Sequence, residues 1–305
     1  MFFWPGIGKK PGHFNYRVII LYMHEMTTLK PIDYLVIGHI TVDLTPAGPV
    51  IGGSAAYAAL TARSLGMRVG VVTVRADEIP LTILDGIPVI SGFAEHSTTY
   101  ENVYTPEGRI QYVRHVAPKI EYSLVPEIWR RASIIHLAPV AQEVDPQLPA
   151  DFHAGLLGFT PQGWMRKWDA EGRVSLCEWQ GADEALARAG AVVFSVEDVS
   201  HREDIIEQFS HFARIMAVTE GAAGSRLFWN SDLRRFKPPT VVEIDPTGAG
   251  DVFATAFFAR LYHTRDPWEA ARFANRVAAI SVTRPGMAGA PSVEEVQSCM
   301  VEVLD

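Results

Sequence analysis

Seven consecutive residues, Asp245, Pro246, Thr247, Gly248, Ala249, Gly250 and Asp251, combine types that can do chemistry together. The β-branched run at 240–244 predicts a strand and the apolar pattern of 249–262 predicts a helix, so the heptad falls where one turns into the other. Two glycines in three residues let the backbone turn sharply and leave its N–H groups uncovered. The helix that follows points its own unsatisfied N–H groups, an effective charge of roughly +0.5, at the same spot. Such a corner holds an anion, phosphate above all. Asp251 is the odd member, because a carboxylate there repels the anion unless it has a task, and the task it suits is accepting a proton. A plainer reading makes Thr247 or Asp245 a helix cap and the glycines a tight turn.

The whole chain bounds these readings. Its 305 residues are 48% apolar and 20% charged, an ordinary globular composition. The net charge of -8 and the lack of a long basic run exclude a nucleic-acid backbone as partner. Cys177 and Cys299 stand far apart with no metal-ligand spacing and read as reduced thiols of a cytoplasmic protein. The apolar run at 18–23 is too short to cross a bilayer, so neither export nor a membrane anchor is expected. Residues 1–30 lack periodicity and read as an N-terminal extension, disordered or preceding a true start at Met26. Residues 31–305 read as a single domain.

Buried strands are expected at 34–38, 69–74, 133–137, 191–195 and 214–219, and helices at 55–65, 183–189, 267–283 and 292–304. This alternation predicts an α/β fold, a doubly wound, mostly parallel sheet flanked by helices. Between 91 and 116 the period changes to two. Strands at 99–104 and 109–114 flank Thr105, Pro106, Glu107 and Gly108, a hairpin turn inserted in the βα chain. It predicts a small β lid, with strands from about 39–52 and 92–116. Asp43 follows the first strand, and the pair Gly52 and Gly53 precedes the Ala-rich helix.

In this order, from Asp33 to Glu295, the chain resembles the ribokinase-like (PfkB) carbohydrate kinases, whose C-terminal signature the Asp245–Asp251 heptad matches. The resemblance implies ATP and magnesium as cofactors and a small-molecule hydroxyl acceptor, a sugar, polyol or nucleoside. It assigns Asp251 as base and the backbone N–H groups of Gly248, Ala249, Gly250 and Asp251 as the anion hole. Asp43, Gly52, Gly53 and Tyr57 fall on the acceptor side. Arg166, read from the sequence as part of a loop at 159–166 rich in large side chains, is either a surface charge or a group that reaches a phosphate on that side. Ser195, Thr219, Gly221, Gly224 and Asn275 fall on the nucleotide side. Asp198 is placed near magnesium, and Asp245 at a monovalent cation site, potassium in some members. The chain departs from the pattern at Tyr57, where the family has Asn, at Ser195 to Asp198, where it has Asn-x-x-Glu, and in a shortened 74–98 stretch. His136 reads as a strand-end residue near the site and not a metal ligand. A monomer or a homodimer is expected.

Two other readings remain open here. One is a catalytically degenerate member that only binds a ligand, with Ser195 and Tyr57 as the suspect changes. The other is a serine hydrolase using Ser54 on a strand-to-helix turn, which lacks the second glycine of the nucleophile elbow and leaves the heptad unexplained.

Overall fold

Four uninterrupted apolar residues form β1 (Tyr34–Ile37), and all four are buried. A strand with no polar face needs cover on both sides, and β1 has it at the centre of a parallel sheet. It lies between β4 (Val69–Arg75) and β8 (Ile134–Leu137) and runs parallel to both. The structure is a computed structural model and describes residues 29–105 and 108–300. The expected extension, except its last two residues, and Pro106 and Glu107 of the expected turn lie outside the described residues. Among the described residues, those from Pro31 on form one compact unit.

Four further elements complete the lid: β2 (Thr41–Thr45), β3 (Gly48–Gly52), β6 (Thr99–Thr105) and β7 (Gly108–His115), in the order β3-β2-β6-β7. The main sheet adds β5 (Val89–Phe93), β9 (Leu156–Phe159), β12 (Ala191–Ser195), β13 (Ile215–Thr219), β14 (Ser225–Trp229) and β15 (Asp232–Phe236). Its nine-strand order is β15-β14-β13-β12-β9-β8-β1-β4-β5, parallel except for the antiparallel β14 and β15 at one edge. A ribbon of β10 (Arg166–Trp168) and β11 (Val174–Leu176) extends the lid, joined to β7 where Val113 N–H donates to Gly172 O at 2.8 Å.

Six helices are described: α1 (Ser54–Ser64), α2 (Ala182–Arg188), α3 (Glu203–Phe212), α4 (Ala249–Thr264), α5 (Pro267–Ser281) and α6 (Val293–Met300). Of these, α4 positions the site. It is apolar around most of its circumference, with Val252, Phe253, Phe257, Phe258 and Leu261 buried, so it lies inside the molecule between the sheet and α5. Close approach to the sheet depends on Gly158 of β9, where an added Cβ would stand 2.7 Å from the Phe258 ring.

The sequence reading needs three corrections. Residues 240–244 do not form a strand. Their β-branched composition imitates one, but Val242 and Ile244 are 80% and 62% exposed, and Pro238 and Pro239 interrupt the donors. The segment instead anchors its end by Ile244 and Asp245 N–H groups, both donating to Val282 O at 2.7 and 3.1 Å. The second lid segment begins at Thr99 and not near 92, because residues through Phe93 pair with β4 in the main sheet. The strands β9, β10, β11, β14 and β15 and the helix α3 were not anticipated; the short strands carry too few residues for a clear period.

Gly158→Ala is expected to push α4 off the sheet and to cost about 1–3 kcal/mol, read as a lower denaturant midpoint with an unchanged m-value. An unchanged midpoint would show that α4 can move without cost.

Candidate active site

Gly248 turns the chain into α4 with a left-handed backbone, φ +80°, and no side chain caps the helix. The capping reading of Thr247 and Asp245 therefore fails. An added Cβ at Gly248 would stand 2.2 Å from the Tyr57 ring, so the ring of α1 lies directly under the turn. Asp245 braces the corner: its Oδ1 accepts from Thr247 N–H at 2.9 Å and its Oδ2 from Gly286 N–H at 2.8 Å. Burial pushes its carboxyl up, but the Thr247 hydroxyl and the backbone N–H groups of Gly286 and Thr247 together outweigh it and hold the carboxyl below the usual range. Each oxygen thus accepts one bond from the loop, which makes Asp245 a brace of the corner.

The N–H groups behave unequally. Ala249 N–H donates to Pro246 O at 3.1 Å, while those of Gly248, Gly250 and Asp251 meet no backbone acceptor among the described residues. An added Cβ at Gly250 would meet nothing within 4 Å, so the space beside it is open. Three N–H groups, not the four expected, are left for an anion.

Asp251 stands in the first turn of α4, half-buried, on the wall of a cavity of about 560 Å³. Burial pushes its carboxyl up to about 6, a hydrogen bond from Ser54 pulls it down, the charge of Asp198 raises it, Arg166 lowers it and Asp43 raises it. This carboxylate is thus a stronger base than an ordinary aspartate. Ser54 is the partner of this carboxylate, an arrangement that offers no imidazole to activate the hydroxyl and removes the hydrolase reading.

One end of the cavity is built from α1 and the lid. Thr41, Asp43, Gly53, Ser54, Tyr57, Tyr100, Asn102 and Gln111 line it, with Val140, Thr160 and Arg166. Asp43 Oδ1 accepts from Thr41 Oγ1 at 3.0 Å. Gly52 is not on the wall; its lack of a side chain leaves room for the Asp43 carboxylate, whose Oδ2 would lie 2.1 Å from an added Cβ. Tyr57 is 3% exposed, and burial followed by the charges of Asp251, Asp245 and Asp43 raises its hydroxyl above its ordinary value. Arg166 is not a loop residue: it opens β10, faces the cavity, and packs its guanidinium over Tyr100 with 5.6 Å to the ring centroid.

The other end follows β12 and β13. Ser195, Glu197, Asp198, Thr219, Gly221 and Gly224 line it, opposite residues 238–241 and Asn275, Ala278, Ala279 and Val282. Asp198 Oδ2 accepts from Ser195 N–H at 2.8 Å and Oδ1 from Gln162 Nε2 at 2.7 Å, which orients the carboxylate and leaves each oxygen a further lone pair. Asn275 donates to Ser225 Oγ and Ala271 O, both at 2.8 Å, and so ties α5 to β14 as well as walling the cavity. His136 is buried away from the wall, bonded to Tyr34 and Thr160, and burial pulls it down to about 3. The structure thus gathers every expected site residue around one cavity except Gly52 and Asp245, which support it from behind. The sequence reading missed Thr41, Tyr100, Asn102, Gln111 and Gln162, and took Ser54 only as a nucleophile; its place directly after the glycine pair was the available signal.

Residues 182–293, the stretch holding β12 to α5, match the family model described as pfkB family carbohydrate kinase. Over this stretch the chain is similar to the PfkB-type kinases. It is a phosphotransferase acting on hydroxyl groups. It is 28% identical over 258 residues to a cytidine kinase of Thermococcus kodakarensis, covering 75% of this chain and 88% of that one. To an inositol 3-kinase of Zea mays it is 27% identical over 67% of this chain, which spans about half, 54%, of that relative. The kinase shares its fold with a pyrophosphate-dependent kinase in the ribokinase family complexed with a pyrophosphate analog and myo-inositol, at TM-score 0.72 and 20% identity, covering 87% and 99% of the two chains. A ribokinase of Arabidopsis thaliana complexed with ribose and ATP superposes with TM-score 0.68 at 15% identity, over 90% and 100%. No helix among the described residues is long and apolar enough to cross a membrane.

The raised carboxyl has a stability consequence. Unfolded, Asp251 returns to about 3.8, so the folded chain binds more protons between that value and about 6, and stability falls as pH rises through this window. Above it the deficit persists. Asp251→Asn should therefore stabilise the fold more at pH 8 than at pH 4, measured by denaturant midpoints; an equal effect at both would place the carboxylate in water.

Proposed function

We propose that this kinase transfers the γ-phosphoryl group of ATP to a hydroxyl of a sugar, polyol or nucleoside, with Asp251 as the base. The observation that carries the reading is the raised Asp251 carboxyl beside three unspent N–H groups. The acceptor sits at the lid end, its hydroxyls met by Asp43 and the side chains beside it, with Tyr57 and Arg166 on the wall. The nucleotide sits at the other end, along Ser195, Thr219, Gly221, Gly224 and Asn275. The N–H groups of Gly248, Gly250 and Asp251 meet the transferring phosphoryl group at the boundary.

Phosphoryl transfer passes through a loose transition state, so positioning and charge stabilisation supply most of the catalysis. Asp251 accepts the acceptor's proton as its oxygen attacks in line, and Ser54 holds the carboxylate in place. Magnesium fits the donor set. Among the described residues no cluster of three or more His, Cys, Asp or Glu could cage a metal ion, and magnesium is ordinarily held through one or two carboxylates, waters and substrate phosphates. Asp198, oriented by Gln162 and Ser195, would hold it or its waters. When bound, it neutralises phosphate charge. A pure ligand binder would have no use for a carboxylate whose proton affinity lies near neutrality within an anion corner.

A coupled ADP-release assay with magnesium and ATP against sugars, inositols and nucleosides tests the reading. Acceptor-dependent turnover is expected, reduced about a hundredfold or more in Asp251→Asn with nucleotide affinity nearly unchanged. Full turnover in that variant would remove Asp251 from the mechanism.

A further inference from the structure

Two buried ionisable residues stand behind the lid end of the cavity without lining it. Glu143 is 1% exposed and His39 is fully buried. Glu143 Oε1 accepts from His39 N–H at 3.0 Å and Val140 N–H at 3.0 Å, and Oε2 accepts from Ala141 N–H at 2.7 Å. One carboxylate thereby ties the loop after β1 to the loop after β8. Charge-assisted bonds to successive backbone N–H groups are strong and directional.

The His39 ring makes the second set of ties. Its Nε2 lies 3.0 Å from Pro118 O, and a carbonyl can only accept, so Nε2 carries the hydrogen. In the neutral ring Nδ1 then accepts from Thr98 Oγ1 at 2.7 Å, and Thr98 Oγ1 itself accepts from Ala117 N–H at 3.0 Å. Thr98 enters β6 and Ala117 and Pro118 follow β7, so His39 fastens both roots of the lid. Its carbonyl oxygen lies 2.6 Å from where a Cβ on Gly53 would stand, against the glycine pair. Val140, held by Glu143, offers its carbonyl to the Tyr100 hydroxyl at 2.5 Å and to Arg166 Nη1 at 3.4 Å.

We propose that His39 and Glu143 are positioning residues that lock the lid roots, the glycine pair and the Val140 loop into one acceptor-binding frame. They touch neither the nucleotide end nor the reacting atoms. The inference rests on the acceptor and nucleotide ends assigned above. In Glu143→Gln an amide NH₂ must face one of the backbone N–H groups, donor against donor. His39→Gln keeps a terminal N–H donor for Pro118 and loses the acceptor for Thr98; His39→Asn can turn its amide oxygen toward Thr98 as that acceptor and loses Pro118.

Steady-state kinetics with the best acceptor of the panel, together with hydrogen exchange of the lid, test the proposal. Glu143→Gln is expected to raise the acceptor KM about tenfold or more while the ATP KM stays within about twofold, with partial effects in both His39 variants. Exchange should quicken in Thr99–Thr105 and Gly108–His115 and stay unchanged in α4. If both KM values move together, or neither moves, the residues support the fold alone and the proposal fails. If the wild-type enzyme phosphorylates no acceptor, the kinase reading fails instead, and exchange still decides: a lid unaffected in Glu143→Gln and His39→Gln overturns the positioning role.

Discussion

A carboxylate held beside a corner of unspent backbone N–H groups is the constraint on which the rest of the structure depends. Asp251 must lie close to the N–H groups of the α4 terminus, yet the same burial that puts it there disfavours its charge. The fold meets both demands by surrounding the group. Ser54 bonds the carboxylate, Tyr57 packs under Gly248, and Asp245 ties the turn to Gly286. The apolar body of α4, pressed on Gly158, fixes the direction in which the corner faces.

From that corner the two ends of the cavity follow. The end proposed for the nucleotide lies at the C-terminal edges of β12 and β13, where an open parallel sheet presents loops to a ligand. The end proposed for the acceptor is closed by a separate sheet, which has to be held by contacts of its own. Buried polar groups supply them, and each finds a partner, as buried polar groups must. The departure at Tyr57 acquires a physical meaning here: its ring is the platform under the turn at Gly248.

Much of this was legible in the sequence. The apolar runs at β1, β4, β8, β12 and β13 give buried parallel strands, and the glycines of the heptad give the corner. What was not legible depends on distance along the chain. Residues 240–244 have a strand's composition, but no free sheet edge accepts them. Arg166 looked like a surface charge because nothing local shows that β10 joins the lid. Glu143 meets His39 across 104 residues, and no local pattern marks such a pair. The basicity of Asp251 was also hidden, since it comes from burial and from Asp198, 53 residues away.

The most direct test of the central claim is the pH dependence of kcat/KM for the acceptor at saturating magnesium and ATP. The account predicts an acidic limb with an apparent pKa at or above about 6, the deprotonation of Asp251, moved to lower pH in Asp198→Asn, which removes a neighbouring negative charge. A profile that stays flat down to about 4, the ordinary carboxylate range, would contradict it.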